Sequence, residues 1–189
     1  MISPNILLGT YSIGYFPMAD SDGSISWYSP DPRTIIPLNN YNIPRSTQQL
    51  IKKQIFKIEI DKQFETVMRG CASREETWIS EEIVESYMEL HRLGYAHSVE
   101  SIDSDGLAGG LYGVALGSAF FGESMFSYRS GSSKVALAFL INHLKEKGFK
   151  LLDVQYITPH LQMFGATEIP RKKYLELLRS AMEEKVEFT

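Results

Sequence analysis

The stretch from GGLYGVALG (109–117) through AFFGESMFS (119–127) and a following helix to LLDVQ (151–155) constrains the fold more than any other part of the chain. Two apolar runs flank Gly117-Ser118, which suits a type II′ turn and predicts an antiparallel hairpin. Ser132 or Ser133 then caps a helix that runs to about Lys147, with Gly148 as its C′ residue. LLDVQ follows as a buried strand. A strand, a helix and a second strand in that order predict a parallel pair. A hairpin joined to a parallel pair gives a mixed sheet with flanking helices, an α+β arrangement.

The remaining elements fit that frame. Residues 3–13 predict a short helix with Ser3 as N-cap and Pro4 in the first turn. RSTQQLIKKQ offers a capping box, Ser46 with Gln49. FKIEI (56–60) alternates as a strand, and Asp61 is placed to cap a helix ending near Gly70. Ser80 caps a longer helix whose apolar stripe is Ile83, Tyr87 and Leu90, with Gly94 as its stop. AHSVESI (96–102) reads as a strand. Thr158-Pro159 starts a short helix ending at Gly165. Pro170 opens a last helix that turns Tyr174, Leu177, Leu178 and Ala181 inward. Residues 14–33 are rich in Gly, Pro, Ser and Asp, yet hold Tyr15, Phe16, Trp27 and Tyr28. They predict an ordered loop whose rings pack. From about residue 37 the regular elements begin, which divides the chain into a small N-terminal appendage, 1–36, and a main domain, 37–189. The order of elements in the main domain resembles the acyl-CoA N-acyltransferase (GNAT) fold.

Composition narrows the classes. Of 189 residues, 43% are hydrophobic, enough for a real core. A single cysteine, Cys71, rules out a disulfide framework and a Cys-rich zinc site. The four histidines lack metal-ligand spacing. A net charge of −4 argues against wrapping nucleic acid but leaves room for contact with an end through a local patch. Lys52-Lys53, Lys145-Lys147-Lys150 and Arg171-Lys172-Lys173 are such patches, or solvated faces. The N-terminus lacks a signal-peptide pattern and no run nears 18 apolar residues, so cytoplasmic residence without a membrane span is expected.

Two strands carry acids where core residues belong. In LLDVQ, alternation puts Leu151, Asp153 and Gln155 on one side. In AFFGESMFS it groups Phe121, Glu123 and Met125. A carboxylate among apolar neighbours is costly unless paired or hydrogen-bonded. Such acids are either members of a structural polar network or catalytic or ligand-holding groups, and finding two in one small domain favours function. Hydrolase and phosphate motifs are missing: GESMF is not G-x-S-x-G, and GGLYG is not G-x-G-x-x-G. GSSK (131–134) puts amides at a helix start, where capping or an anion fits equally. The R/Q-x-x-G-x-G/A loop usual in CoA-dependent GNAT enzymes is absent before that helix.

The motifs GYFPM (14–18), WYSPDPR (27–33), CASREETWI (71–79), ESYMELHRLGYAHSVE (85–100), GGLYGVALG (109–117), FGESMFS (121–127), SKVAL (133–137), LLDVQ (151–155) and FGATEIPR (164–171) span nearly the whole chain. In this order they resemble the leucyl/phenylalanyl-tRNA–protein transferase family. The resemblance implies transfer of Leu or Phe from its tRNA to the α-amino group of an acceptor protein, which is thereby marked for N-degron degradation. It implies a small N-terminal domain packed on a GNAT-like one, with no metal or dissociable cofactor. The partners implied are aminoacyl-tRNA, met at its 3′ end, and acceptor proteins or peptides.

The same resemblance assigns residues. Asp153 and Gln155 stand at the reacting amine, Gln155 orienting it and Asp153 polarising or holding Gln155. Glu123 stands near the donor's amino group. Leu111, Met125, Leu137, Leu140 and Leu144 match the lining of the donor side-chain pocket, with Phe139 close by. Trp27, Tyr28 and Trp78 match aromatics near the terminal adenosine. Thr158 stands where some relatives carry Asn beside the acceptor. Acceptors usually begin with Arg or Lys, which calls for acids such as Glu75, Glu76 or Glu168; acidic acceptors would call for a cation such as Arg171. The competing readings are a CoA-dependent N-acetyltransferase and a non-enzymatic module that binds protein N-termini.

Overall fold

The hydrophobic residues sort onto two faces of one large sheet, and helices cover both. In the computed structural model, which describes residues 1–73 and 77–189, the elements run in this order. Helix α1 (Pro4–Ser12) leads to strands β1 (Phe16–Ala19), β2 (Ile25–Tyr28) and β3 (Arg33–Ile35). Helix α2 (Arg45–Lys52), strand β4 (Lys57–Ile60), and helices α3 (Phe64–Ala72) and α4 (Glu81–Arg92) follow. Then come β5 (Ala96–Asp103), β6 (Gly106–Leu116), β7 (Ala119–Ser127), α5 (Ser132–Lys147) and β8 (Leu151–Gln155). Helix α6 (Pro159–Gln162), strand β9 (Thr167–Ile169) and helix α7 (Arg171–Met182) complete the chain.

The seven-stranded sheet has the order β4-β5-β6-β7-β8-β3-β9. The β6–β7 hairpin is antiparallel, and Gly117 takes φ 62° at its turn. The pair β7–β8 is parallel, as the crossover through α5 requires. Neighbouring residues divide between the faces. Phe121 and Leu151 join a core with α1, α3, α4 and α7, while Phe120 and Leu152 join one with α5. The architecture is α+β with a mixed sheet and a small N-terminal part.

Four local expectations change. Residues 14–33 are not all loop: β1 and β2 form a two-stranded sheet, and β3 joins the large one. Ser46 does not cap α2, which starts after Pro44 with no side-chain cap. Asp61 does not cap α3. It accepts from the Ser98 amide and pairs with His97, while the buried Glu100 takes the Lys62 and Gln63 amides before α3. Gly131, not Ser132 or Ser133, is the N-cap of α5, in a left-handed conformation. Ser3 and Ser80 do cap their helices, and Gly148 ends α5. Glu75 and Glu76 lie outside the described residues.

Candidate active site

The site forms where β7 and β8 part. Their parallel pairing ends at Phe121 and Asp153. Beyond that point each strand departs from regular geometry. On β7, Tyr112 pairs with Ser124 and Gly113 with Gly122, so Glu123 is the extra residue of a bulge. A Cβ on Gly113 would lie 2.3 Å from the Phe121 carbonyl oxygen, so the ladder beside the bulge requires glycine there. The bulge also undoes the expected shared face: Phe121 packs with Tyr11 and Tyr87, whereas Met125 packs on the α5 side. On β8, Gln155 takes φ 63°, a left-handed conformation disfavoured for residues other than glycine.

Glu123 is 8% exposed. Its Oε1 accepts from the Tyr11 hydroxyl at 2.6 Å and from Gln155 Nε2 at 3.0 Å. The Tyr11 hydroxyl also meets that of Tyr87. Burial pushes the Glu123 carboxyl up to about 7, and Asp153 adds to the rise. The hydrogen bonds from Tyr11 and Gln155 and the charge of Arg33 pull the other way. Burial, then the nearby Glu123 charge, raises both Tyr11 and Tyr87, so these phenols stay protonated donors.

Asp153 is fully buried and closed off by donors. Arg33 gives Nε to Oδ1 at 2.9 Å and Nη2 to Oδ2 at 2.5 Å. The Tyr174 hydroxyl donates to Oδ2 at 2.8 Å and the Gln155 amide to Oδ1 at 2.9 Å. Asp153 thus holds Gln155 through the main chain, while the Gln155 side chain goes to Glu123. Burial opposes the charge of Arg33, but the Asp153 carboxylate outweighs it and raises the guanidinium pKa. Burial and then Asp153 raise Tyr174.

A cavity of about 170 Å³ opens beside Glu123 and Gln155. Leu111, Met125, Leu137 and Leu140, four of the residues that the resemblance assigned to the donor pocket, line it. Leu152, Val154 and Leu161 line it too, and sequence reasoning missed them. Leu144 does not reach it and is buried in the core under α5. Phe139 also stays outside, stacked on His143. Trp78 and Thr158 stand on the cavity wall. Trp27 and Tyr28 do not. They sit half-buried on β2, where Tyr28 stacks on Phe16 and Phe16 meets the wall residue Tyr156 edge-on. Thr158 also caps α6, its Oγ1 accepting from the Leu161 amide, and it borders a second, hydroxyl-lined cavity of about 470 Å³.

Arg33, Tyr11, Tyr87 and Tyr174 are polar site residues that sequence reasoning also did not assign. Among the described residues, no cluster of His, Cys, Asp and Glu is arranged to hold a metal, and no helix is long and apolar enough to cross a membrane.

An apolar cavity with an acid and an amide in its wall suits a ligand with an apolar side chain and an amino group. A cavity of about 150 Å³ accommodates benzene, so this one has room for the side chain of Leu or Phe. Comparison with known sequences bears on that chemistry. The profile described as leucyl/phenylalanyl-tRNA protein transferase matches residues 35–179, and that of the same family's N-terminal domain matches residues 1–31. The chain is 49% identical over 193 residues to the leucyl/phenylalanyl-tRNA–protein transferase of Chlorobium limicola, with all of both chains covered. It is 48% identical over 193 residues to that of Chlorobaculum tepidum, again with both covered in full. For that of Rubrobacter xylanophilus the figure is 48% over 182 residues, 96% of this chain and 95% of the relative. A solved structure, that of L-PGS from Bacillus licheniformis, matches 76% of this chain and 47% of its own with a TM-score of 0.47 at 10% identity. With both profiles and full-length relatives in agreement from the first residues to α7, the chain belongs to the leucyl/phenylalanyl-tRNA–protein transferase family.

Proposed function

We propose that this protein transfers Leu or Phe from its charged tRNA to the α-amino group of an acceptor protein, and that Glu123, Gln155 and the adjoining cavity are where it does so. The observation that carries this reading is the cavity itself: apolar, the size of one such side chain, with the hydrogen-bonded Glu123 and Gln155 in its wall. Aminoacyl transfer is attack of an amine on an activated ester. It needs two positioned substrates and no covalent nucleophile. Leu111, Met125, Leu137 and Leu140 take the donor side chain. Glu123 meets the donor ammonium, a neighbouring cation that draws a carboxyl with pKa about 7 into its charged form. Gln155, its Nε2 held by Glu123, offers its carbonyl oxygen to the acceptor amine. The amine attacks the ester carbon, the bond to the ribose 3′ oxygen breaks, and that oxygen recovers a proton shed by the amine.

The terminal adenosine lies against Trp78, where stacking contributes about 1–3 kcal/mol. Tyr28 and Trp27 then serve farther along the donor, in keeping with their place on β2. Thr158, shared by both cavities, faces the acceptor. Glu168 and Arg171 are both exposed near it in sequence, so basic and acidic acceptors are both candidates. We place the reaction in the cytoplasm, within an N-degron pathway, with no metal or cofactor. The parts 1–36 and 37–189 act as donor-facing and GNAT-like units, with β3 of the first completing the sheet of the second.

One mass measurement tests the reading. Purified protein is mixed with Leu- or Phe-charged tRNA and peptides beginning with Arg, Lys, Asp or Glu. A gain of one Leu or Phe is expected, and the peptide that gains it sets the acceptor class. No gain with either donor sinks the proposal; a gain of acetyl mass from acetyl-CoA alone would replace it with acetyl transfer.

A further inference from the structure

Arg33 has no role in the chemistry above, yet it is 1% exposed and among the largest fully buried side chains. It enters from the N-terminal part of the chain and is clamped on every side. Its guanidinium lies 4.8 Å from the ring centre of Phe16 and 4.5 Å from that of Tyr174. Nη1 donates to the Gly14 carbonyl at 3.1 Å. The remaining fork grips both oxygens of Asp153. With Tyr174 and the Gln155 amide added, each Asp153 oxygen has two donors. Asp153 does not line the cavity, so it has neither a free lone pair nor a path to a substrate amine. What it does reach is the main chain of Gln155, held at φ 63°. Such a conformation persists only where the surroundings impose it. A bidentate fork fixes a carboxylate in orientation as well as distance.

We infer that Arg33 is a positioning residue for the transfer: it fixes Asp153, and Asp153, through the Gln155 amide, sets the Gln155 side chain against Glu123 at the cavity wall. Tyr174 completes the same clamp. The inference rests on the transferase reading, and its reach follows from geometry. A displacement of about 1 Å at a reacting group costs on the order of 100-fold in rate.

The test is single-turnover transfer with enzyme in excess, using Leu-charged tRNA and whichever peptide the wild type accepts. Arg33→Lys keeps the charge and loses the fork. Its saturating rate constant is expected to fall at least about tenfold, while the enzyme concentration at half-saturation stays within about twofold. A purely structural role would shrink the folded, active fraction, raising the total enzyme concentration at half-saturation, and leave the saturating rate constant alone. That result, or an unchanged rate constant, overturns the inference. Should Arg33→Lys not fold, Tyr174→Phe decides, because it removes one hydroxyl and keeps the ring. A rate constant lowered about threefold or more supports the clamp, and an unchanged one overturns it. A wild type inert with both charged tRNAs removes the transferase reading and the inference with it. An active wild type matched by Arg33→Lys removes the inference alone.

Discussion

Asp153 and Glu123 are both acids in apolar strands, both buried, on neighbouring strands, yet their surroundings differ in kind. Asp153 is met by a guanidinium, a phenol and an amide, four donors in all, is fully buried and lines neither cavity described above. Glu123 is met at one oxygen by neutral donors and stands on a cavity wall. Burial alone does not tell a holding acid from a reacting one. The charge of its partners, and whether space adjoins it, does.

The largest effect is expected at the saturated acid. Asp153→Ala strands Arg33 in the interior, and breaking one half of a buried pair costs about 3–5 kcal/mol. Denaturant unfolding should show that loss, with turnover in the folded molecules falling far more than donor affinity. A stability within about 1 kcal/mol of wild type would erase the contrast between the two acids.

Glu123 should respond to pH instead. Its carboxyl binds a proton more tightly folded, near 7, than at its ordinary 4.5. The stability it contributes is therefore full below about 4.5 and is lost as pH rises through about 7, roughly 3 kcal/mol in all. Glu123→Gln carries no charge to desolvate and should flatten that part of the profile. Urea unfolding at pH 5 and pH 8 measures it, and equal slopes in the two proteins would count against the raised value.

Smaller effects belong to the cavity. Leu137→Phe narrows it and should lower use of Phe-charged relative to Leu-charged tRNA by about 10-fold, within the 1–3 kcal/mol that apolar shape can discriminate. Competition between the two donors reads the ratio. Phe139→Ala, outside the cavity, should move that ratio by less than about twofold. A larger shift would return Phe139 to the pocket.

Much of this was legible in the sequence because local rules coincided. Gly117-Ser118, Gly148 and the alternation of LLDVQ placed the hairpin, the crossover and the parallel pair. The two acids stood out because they interrupt apolar runs. The bulge at Glu123 and the left-handed Gln155 were not legible, since period-two alternation assumes an unbroken ladder. Arg33 sits 120 positions from Asp153 in the chain, and a motif such as SPDPR does not say which acid its arginine will find. Tyr11, Tyr87 and Tyr174 look like ordinary core rings on helices; their hydroxyls matter only once the sheet has brought Glu123 and Asp153 beneath them. Leu144 and Phe139 lie off the cavity for a related reason. Helix α5 is apolar on several sides, so spacing alone does not tell which of its residues face the cavity and which the core.

Helix α7 is pinned at both ends. Tyr174, near its start, donates to Asp153, and Ala181, near its end, accepts from the amide and hydroxyl of Ser118 at the hairpin turn. Synthesis runs from N- to C-terminus. A nascent chain therefore presents Tyr11, Arg33, Glu123 and Asp153 well before the residue that completes their arrangement. The set closes only after α7 has left the ribosome and docked, so a nascent chain that still lacks α7 should not yet hold Asp153 and Gln155 in order.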